Sequence, residues 1–362
     1  MVELHAEELP LDKLILPPGF SISVYAEIKD ARQMSLGKNG TVYVGSRRRG
    51  EGKIYALLNP DNKLAAEQVI TIDSGLNMPS GVAYRDGDLY VGAIKHVYRY
   101  KNIDKTFDQN PEPEVLTDKF PDKTHHGWKF INFGPDGLLY IPVGAPCNIC
   151  LSENEIFGTI TRMDVNSADR KIEIFARGIR NSVGFDWHPG TKELWFTDNG
   201  GDGLGDNIPA DELNRATKAG QNFGYPFYHQ GDIKDRKLSE GKKAEDYIPP
   251  VQKLGAHVAA LGMTFYTGTM FPERFHNQII IPERGSWNRS RKSGHVGYRL
   301  TLVTLEGNKA VKYEPFITGW LDKKKNKGWG RPTATLVMPD GSLLVADNGA
   351  DVIYRVTYKK AD

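Results

Sequence analysis

Several short segments of the 362-residue sequence combine polar residues that could bind or transform a small molecule. The first holds two adjacent histidines, His125 and His126, and a histidine can accept a proton near neutral pH. The second places Arg180 beside Asn181, which together offer a cation and an amide to a polar, anionic ligand. Structural roles are the alternatives: packed or surface histidines, and an arginine that ties two structural units together.

The third segment is acidic and rich in glycine, and it covers residues 197–206 and 211–214. Close-set acids and glycines supply carboxylate and carbonyl oxygens on a tight backbone. Such oxygens suit calcium, which accepts about six to eight oxygen ligands in a loose geometry. A plain surface loop is the alternative interpretation.

The fourth group places cations beside tryptophans. Arg284, Trp287 and Arg289 lie within one short segment. Trp329 and Arg331 lie within another. A flat aromatic cofactor that carries carboxylates would use such residues for stacking and for charge pairing.

A repeat indicates which elements position these residues. A turn rich in Gly, Pro or Asp, followed by a short apolar strand, occurs six times, at residues 39–45, 86–92, 135–141, 189–196, 276–281 and 339–345. A second strand follows most copies, at residues 53–56, 97–100, 160–163, 298–302 and 352–356. Paired strands at a spacing of about 50 residues are typical of propeller blades. The sequence therefore predicts an all-β fold, a six-bladed β-propeller, as a single domain over residues 1–362.

Three local features refine this architecture. Residues 198–266 separate the fourth and fifth copies by much more than the usual interval, which predicts an insertion in blade four. Within it, residues 210–218 are the best candidate for a helix. Residues 20–25 alternate like a strand but have no blade of their own, so we expect them to close the ring by joining the last blade. Propellers bind ligands at one mouth of the channel, where the polar segments should meet.

Composition narrows the classes of function. The net charge of +2 gives no reason to expect nucleic acid as a partner, and no stretch is long and apolar enough to span a membrane. The two cysteines, Cys147 and Cys150, are too few for a structural zinc site, and the βαβ context of a thioredoxin-like pair is absent. A short-loop disulfide formed in an oxidising compartment is the main interpretation, and two free thiols are the alternative.

Taken in order, these segments resemble the sugar dehydrogenases that depend on pyrroloquinoline quinone (PQQ): soluble glucose, aldose sugar and, most closely, sorbosone dehydrogenases. The matching stretches are residues 125–137, 178–185, 200–214, 220–226, 285–289 and 330–332, and residues 16–20 are also similar. No single motif is specific, but the ordered set spans nearly the whole chain. The resemblance implies a six-bladed propeller that holds PQQ and calcium at the mouth of its channel.

The resemblance also assigns roles to individual residues. The catalytic residues are His125, as the base, and Arg180, which also contacts the cofactor. The further cofactor-binding residues are Asn181, Trp287, Asn288, Arg289 and Arg331. The metal-binding residues are Gly200 and Gly201, whose carbonyls would hold the calcium beside the cofactor, and Glu212 and Phe223, which would hold a second, structural calcium.

Three positions depart from the glucose enzyme. Val183 and Gly201 stand where that enzyme has Gln and Pro. Ala145 stands where it has the Asp that orients the catalytic histidine. We therefore expect another group to orient His125.

The resemblance implies oxidation of an aldose or sugar aldehyde by hydride transfer to the quinone, with electrons passed to an external quinone or cytochrome. It also implies a periplasmic or secreted protein, with its signal peptide removed. Two other functions stay open: a calcium-dependent lactonase of the gluconolactonase type, and a non-catalytic propeller that binds glycans or proteins. The lactonase would draw its metal ligands from several blades, whereas the acids here cluster in one insertion, which favours the dehydrogenase.

Overall fold

The repeats form six antiparallel sheets arranged as the blades of a propeller, which confirms the predicted all-β, six-bladed fold. The computed structural model describes residues 9–360. In each blade the second strand is the apolar strand of the repeat. Five of the blades have four strands, and blade three has a fifth.

The strands are as follows. Blade one contains β2 (Ala31–Leu36), β3 (Val42–Ser46), β4 (Gly52–Leu58) and β5 (Gln68–Leu76). Blade two contains β6 (Gly81–Arg85), β7 (Asp88–Gly92), β8 (Val97–Tyr100) and β9 (Glu114–Thr117). Blade three contains β10 (Asn132–Phe133), β11 (Leu139–Val143), β12 (Thr159–Met163), β13 (Glu173–Arg177) and β17 (Gln221–Asn222). Blade four contains β14 (Phe185–Trp187), β15 (Leu194–Asp198), β16 (Ala210–Ala216) and β20 (Gln252–Ala256). Blade five contains β21 (Thr264–Phe265), β22 (Ile279–Glu283), β23 (Arg299–Glu306) and β24 (Lys309–Ile317). Blade six contains β27 (Pro332–Val337), β28 (Leu343–Asp347), β29 (Val352–Tyr358) and β1 (Phe20–Glu27).

The remaining elements are short. Two hairpins pair β18 (Tyr228–His229) with β19 (Ile233–Lys234) and β25 (Leu321–Asp322) with β26 (Lys327–Gly328). One α-helical turn, α1, spans Ile103–Thr106, and 3₁₀ turns span Leu11–Lys13, Lys38–Gly40, Ala244–Asp246 and Glu273–Phe275. Over residues 9–360, no helix has the length and apolar character needed to cross a membrane.

The repeat can be recognised in the sequence because its apolar strand is buried on both faces. All five residues of β11, β15, β22 and β28 are buried. Neighbouring blades pack against both faces of such a strand, so alternation between polar and apolar residues is lost. Tyr140 of blade three, for example, belongs to one apolar cluster with Phe185 and Phe196 of blade four.

The N-terminal strand closes the ring, as predicted. Strand β1 pairs antiparallel with β29, from Phe20 opposite Tyr358 to Glu27 opposite Val352. The last blade is therefore built from both ends of the described chain. This pairing covers an edge of the last blade that would otherwise be open.

The helix expected at residues 210–218 is wrong, because β16 occupies Ala210–Ala216. Leu194 to Asp198 of β15 pair with Ala216 to Glu212, so this segment is the third strand of blade four. Six of its seven residues are buried, and burial between two blades overrides a weak local helical preference. The correction matters for function because it fixes two buried acids, Asp211 and Glu212, on a rigid strand.

Residues 198–266, which the sequence assigns to an insertion, contain the blade strands β16 and β20. Residues 217–251 between these two strands lie outside the four strands of blade four. Their first strand, β17, instead pairs in parallel with β13 of blade three. Segment 217–251 therefore places Phe223 beside blade three, where its backbone N–H donates to the carbonyl of Arg177 at 2.9 Å.

Candidate active site

A cavity of about 310 Å³ lies where loops of four blades meet at one end of the channel. Its walls come from segments before or at the start of a first strand, from segments just after a second strand and, at Asp211, from the start of a third strand. Because consecutive strands of a blade pair antiparallel, these segments share one end of the propeller. The lining residues include Arg32, Arg47, His125, His126, Trp128, Arg180, Asn181, Val183, Asn199, Gly200, Asp202, Asp211, His257, Arg284, Trp287 and Asn288. Six of the predicted site residues are therefore brought together here.

The two histidines occupy different environments. His125 is exposed and lines the cavity, whereas His126 is buried with Nδ1 2.9 Å from the carbonyl oxygen of Ala145. Burial, followed by the charges of Arg180 and His125, lowers the pKa of His126 to about 3. A Cβ at Gly144 would lie 2.5 Å from Cβ of His126, so this close approach requires glycine.

His125 has a different neighbour from the one that the family pattern provides. Its ring centroid lies 4.0 Å from that of His126. Within residues 9–360, no hydrogen bond joins the His125 ring to another residue. The Ala145 carbonyl holds His126, and His126 in turn contacts His125. Among the described residues, the contact that can orient His125 is therefore the neighbouring ring of His126, while His125 itself lines the cavity.

Arg180 and Asn181 are held from behind by one carboxylate. The backbone N–H of Arg180 donates to Asp198 Oδ2 at 2.8 Å, and that of Asn181 donates to Asp198 Oδ1 at 2.6 Å. Burial raises the pKa of Asp198 to about 6. Asn181 Oδ1 is buried without a partner among the described residues. An amide in this position can accept a hydrogen bond from a bound molecule.

The Arg180 guanidinium makes four hydrogen bonds. Nε donates to the Asn148 carbonyl at 2.9 Å, and Nη2 donates to Asn148 Oδ1 at 2.9 Å and to Asp202 Oδ2 at 3.1 Å. Nη1 donates to the Asn199 carbonyl at 3.1 Å. A guanidinium has five N–H groups, so one on Nη1 is left for a ligand. Arg180 therefore links blades three and four and also lines the cavity. Its position is compatible with both roles that the sequence left open for it, a structural role and a ligand-binding role.

The predicted disulfide between Cys147 and Cys150 is present. Its loop presents Asn148, the main partner of Arg180, and Tyr225 supports the loop from behind. The Tyr225 hydroxyl donates to the Asn148 carbonyl at 3.3 Å and accepts from the Cys150 N–H at 3.2 Å. The disulfide therefore stabilises a loop that orients a predicted catalytic side chain.

Replacing both cysteines by serine should lower the free energy of unfolding by roughly 2 kcal/mol, the loop-entropy value for so short a ring. It should also reduce turnover, because the loop that holds Arg180 becomes mobile. Denaturant unfolding and steady-state rates with and without dithiothreitol test this prediction. The double variant serves as the control, since its rate should not respond to the reductant. Equal unfolding energies in parent and variant would contradict the prediction.

The four predicted metal-binding residues converge. Gly200, Gly201, Glu212 and Phe223 all line a small cleft of about 10 Å³ beside the main cavity, a volume near that of one water molecule or ion. Gly200 lines both spaces. A Cβ at Gly200 would lie 2.9 Å from the Ala210 carbonyl oxygen, so the loop can pass β16 this closely only as glycine.

Two buried acids, Asp198 and Glu212, line this cleft, and Asp211, which precedes Glu212 on β16, lines the main cavity. Burial, followed by the charge of Asp198, raises the pKa of Glu212 to about 8. Burial raises the pKa of Asp211 to about 7, although its oxygens accept the N–H groups of Gly200 at 2.9 Å and Ala260 at 3.1 Å. Among residues 9–360, no three His, Cys, Asp or Glu side chains are grouped to hold a metal. A cation here would depend on Glu212 together with backbone and amide oxygens, a mixed set that suits calcium.

The tryptophan segment contributes in part. Trp287 lies at the rim of the cavity with 70% of its surface exposed, which leaves its face available for stacking. Asn288 Nδ2 donates to Asp202 and lies 3.3 Å from His257 Nδ1. These two predicted cofactor residues are therefore at the cavity.

Two predicted cofactor arginines point elsewhere. Arg289 donates to the carbonyl of Gly294 at 2.8 Å and to that of Asp206, outside the cavity lining. Arg331 donates to the Tyr298 hydroxyl at 2.7 Å and to the Gly285 carbonyl at 3.3 Å, and it is also absent from the lining. The structure does not bring either guanidinium to the site.

Three other arginines line the cavity instead, and of these the sequence analysis named only Arg284, beside Trp287, without giving it a role in the family pattern. Arg32 is the second residue of the first strand of blade one, and Arg47 and Arg284 directly follow the second strands of blades one and five. Trp128 and His257 were also missed. A signal was present: Arg47 and Arg284 occupy the same place in the repeat, one residue past the apolar strand.

Comparisons with known proteins identify the family of the chain. The profile of the glucose/sorbosone dehydrogenase family matches residues 90–283, just over half of the chain. An uncharacterized protein of Borreliella burgdorferi is 32% identical over 374 aligned positions, which cover 99% of this chain and 94% of that protein. The chain belongs to the glucose/sorbosone dehydrogenase family, as the resemblance of its motifs indicates.

Solved structures share the fold. A Trichoderma reesei enzyme of carbohydrate-active family AA12, in its calcium structure, superposes with a TM-score of 0.81 at 16% identity, covering 96% of this chain and 97% of that one. The PQQ domain of Coprinopsis cinerea pyranose dehydrogenase gives a TM-score of 0.77 at 15% identity, over 95% and 97% of the two chains. The PQQ-bound aldose sugar dehydrogenase of Streptomyces coelicolor gives 0.64 at 17% identity, over 95% of this chain and 100% of that one.

Proposed function

We propose that this protein is a PQQ- and calcium-dependent dehydrogenase of an aldose or sugar aldehyde. The observation that carries the proposal is the convergence of His125, Arg180 and Asn181 on one cavity, with Gly200 shared between it and an acidic cleft. Family membership and PQQ-containing neighbours of the same fold support it. We further propose that electrons leave to an external acceptor, and that the protein is periplasmic or secreted, an environment that suits its disulfide.

The residues present fit a flat, anionic cofactor. The cavity holds about 310 Å³, has an exposed tryptophan at its rim, and contains an amide oxygen at Asn181 that has no partner among the described residues. Asn181, Arg180, Trp287 and Asn288 would hold the quinone, and Gly200 would offer its carbonyl to calcium beside it. When bound, the quinone would accept the reducing equivalents and calcium would supply positive charge next to it.

The protein's own residues would then act on the sugar. His125 would accept the proton of the reacting hydroxyl, which for an aldehyde is that of its hydrate, because its imidazole faces the cavity. His126 would keep that imidazole in place through the ring contact. Arg180 would place one N–H and its positive charge where negative charge develops, in a position fixed before the reaction by four hydrogen bonds.

Reconstitution tests the proposal. Purified protein is given PQQ with calcium, PQQ alone, calcium alone or neither, and aldose-dependent reduction of an artificial dye is followed. Activity that needs both additions is the expected result. Hydrolysis of a sugar lactone with calcium alone would instead identify a lactonase, and binding without turnover would identify a non-catalytic propeller.

Calcium should stabilise the protein through Glu212 even without PQQ. At a concentration about 100 times its dissociation constant, it should add about 2.7 kcal/mol to the free energy of unfolding. Chelation should therefore lower the melting temperature of the parent. Glu212→Gln should abolish the response to calcium, because the other carboxylate that lines the small cleft, Asp198, already accepts the backbone N–H groups of Arg180 and Asn181.

Glu245→Gln provides a control that removes a surface carboxylate within the 217–251 segment and should leave the calcium response intact. Differential scanning calorimetry with calcium and with EGTA gives the measurement. An equal calcium response in Glu212→Gln and the parent would remove Glu212 from the metal site.

A further inference from the structure

One wall of the cavity carries three arginines, Arg32, Arg47 and Arg284. Arg32 and Arg47 belong to blade one, and Arg284 reaches the same space from blade five. Arg32 is 6% exposed, and Arg284 is partly buried. The wall lies in the cavity that also holds His125 and Arg180, and the family motifs assign none of its three arginines a role.

The charges on this wall are not balanced by the protein. Within residues 9–360, no hydrogen bond or ion pair joins Arg32 to another side chain, and its guanidinium lies 5.6 Å from the centre of the Trp128 ring. Arg284 Nε donates to the neutral Asn348 Oδ1 at 3.1 Å. Only Arg47 has an acidic partner, Asp30, at 3.3 Å, and that carboxylate also binds Arg48 at 2.8 Å.

The buried carboxylate of Asp347, which interacts electrostatically with Arg284, already accepts hydrogen bonds from other groups. It accepts the N–H groups of Arg331, Gly349 and Ala350 and the Tyr354 hydroxyl. The cationic groups consequently disfavour one another. Burial, then Arg284 and Arg47, lowers the pKa of Arg32 to about 9, and burial, then Arg331 and Arg47, lowers that of Arg284 to about 10.

The neutral polar groups nearby are also donors without acceptors. The indole N–H of Trp128 and Nδ2 of Asn348 are buried and have no partner among the described residues. Buried cations and N–H groups are costly unless something pairs with them. A wall that presents only donors is complementary to an anion, and guanidinium groups match carboxylates in a two-point geometry.

We propose that Arg32, Arg47 and Arg284 bind the carboxylates of a polycarboxylate ligand. This proposal rests on the proposed function, because the ligand that we favour as the source of the carboxylates is the quinone cofactor, which carries three of them. The cofactor-binding role that the sequence assigned to Arg289 and Arg331 would thus belong to this wall, because Arg289 is bonded to Gly294 and Asp206 and Arg331 is bonded to Tyr298. A carboxylate of an acidic sugar substrate would use the same chemistry and is distinguished below.

Binding of PQQ to the unloaded protein, followed by quenching of tryptophan fluorescence, is the main measurement. Arg32→Gln and Arg284→Gln should each weaken PQQ binding by about 10- to 100-fold, the usual worth of a charge-assisted hydrogen bond. The trimethyl ester of PQQ lacks the negative charges, so its binding should be the same in parent and variants. Arg274→Gln is the matched control, since Arg274 is exposed at the opposite end of blade five and pairs with Glu314; it should bind PQQ like the parent.

Thermal unfolding separates this role from a structural one. A buried cation without a partner destabilises the unliganded protein, so Arg32→Gln should melt at or above the parent temperature while binding PQQ less tightly. A purely structural arginine would give a lower melting temperature and equal losses for PQQ and its ester. If Arg32→Gln fails to fold, Arg47→Gln, whose side chain is 40% exposed, carries the same comparison.

The remaining arms identify the source of the carboxylate. Loss of D-glucuronate binding in the variants, with PQQ binding unchanged, would assign the wall to an acidic substrate and support the site while changing its ligand. If the parent binds no PQQ, the proposed function fails, and binding of benzene-1,3,5-tricarboxylate to the parent but not to Arg32→Gln still tests the wall. Parent-like binding of PQQ, glucuronate and the tricarboxylate by all three variants would overturn the proposal.

Discussion

Replacing His125 by alanine is expected to slow single-turnover reduction of bound PQQ by an aldose about 10²–10⁴-fold, the usual range for loss of a general base. PQQ binding should persist, because the groups proposed to hold the cofactor are on other segments. The structure gives the physical reason for choosing this histidine over its neighbour. His125 is exposed to the cavity, whereas His126 is buried with Nδ1 bound to the Ala145 carbonyl at 2.9 Å.

His126 supplies the control for this experiment. With its pKa lowered to about 3, it is neutral throughout the range above about pH 4, so an ionisation near neutrality in the rate profile cannot come from it. His126→Asn should therefore cost much less than His125→Ala and leave the shape of the pH profile unchanged. A parent-like rate in His125→Ala would refute the assignment of the base even if the family and the cofactor are right.

The parts of the fold that could be predicted share one physical feature. Strands such as β11 and β22 are buried on both faces between neighbouring blades, and this produces an unbroken apolar run after a turn, which can be recognised six times. Strand β16 is also almost entirely buried but carries Asp211, which accepts the N–H groups of Gly200 and Ala260, and Asn214, whose Nδ2 donates to Glu212 within the same strand. Local sequence could not distinguish such a strand from a short helix.

The candidate site also contains some residues whose positions the sequence predicts and others whose positions it does not. The four residues predicted to bind metal line one small cleft, and residue 200 must be glycine there because a Cβ would lie 2.9 Å from the Ala210 carbonyl oxygen. The positions of long side chains were less predictable. Arg289 and Arg331 belong to the predicted segments, but Arg289 donates to the Asp206 carbonyl and Arg331 donates to the Tyr298 hydroxyl, so neither guanidinium group lines the cavity. The backbone position of an arginine fixes its neighbourhood, while partners distant in sequence decide where its charge lies.

Replacing Arg180 by alanine is expected to lower the same single-turnover rate by about 10²–10³-fold, the typical cost of losing one preorganised charge-stabilising donor. PQQ binding should also weaken, by about 10- to 100-fold. Both effects arise because Arg180 is 4% exposed, and four of its five N–H groups are bound by Asn148, Asn199 and Asp202. Its remaining N–H therefore points to a fixed place, and water cannot substitute for it without reorganising.

Arg180→Lys separates charge from geometry, since an ammonium group keeps the charge but cannot hold both oxygens of Asn148 together with Asp202 and Asn199. It should recover part of the binding and little of the rate. Asn148→Ala removes one acceptor and leaves the arginine in place, so it should lower the rate by a smaller factor than Arg180→Ala does. If Arg180→Ala instead lost stability but bound and reduced PQQ like the parent, the role of Arg180 would be limited to linking blades three and four. Stabilisation of the developing charge would then have to come from calcium and from Arg32, Arg47 and Arg284.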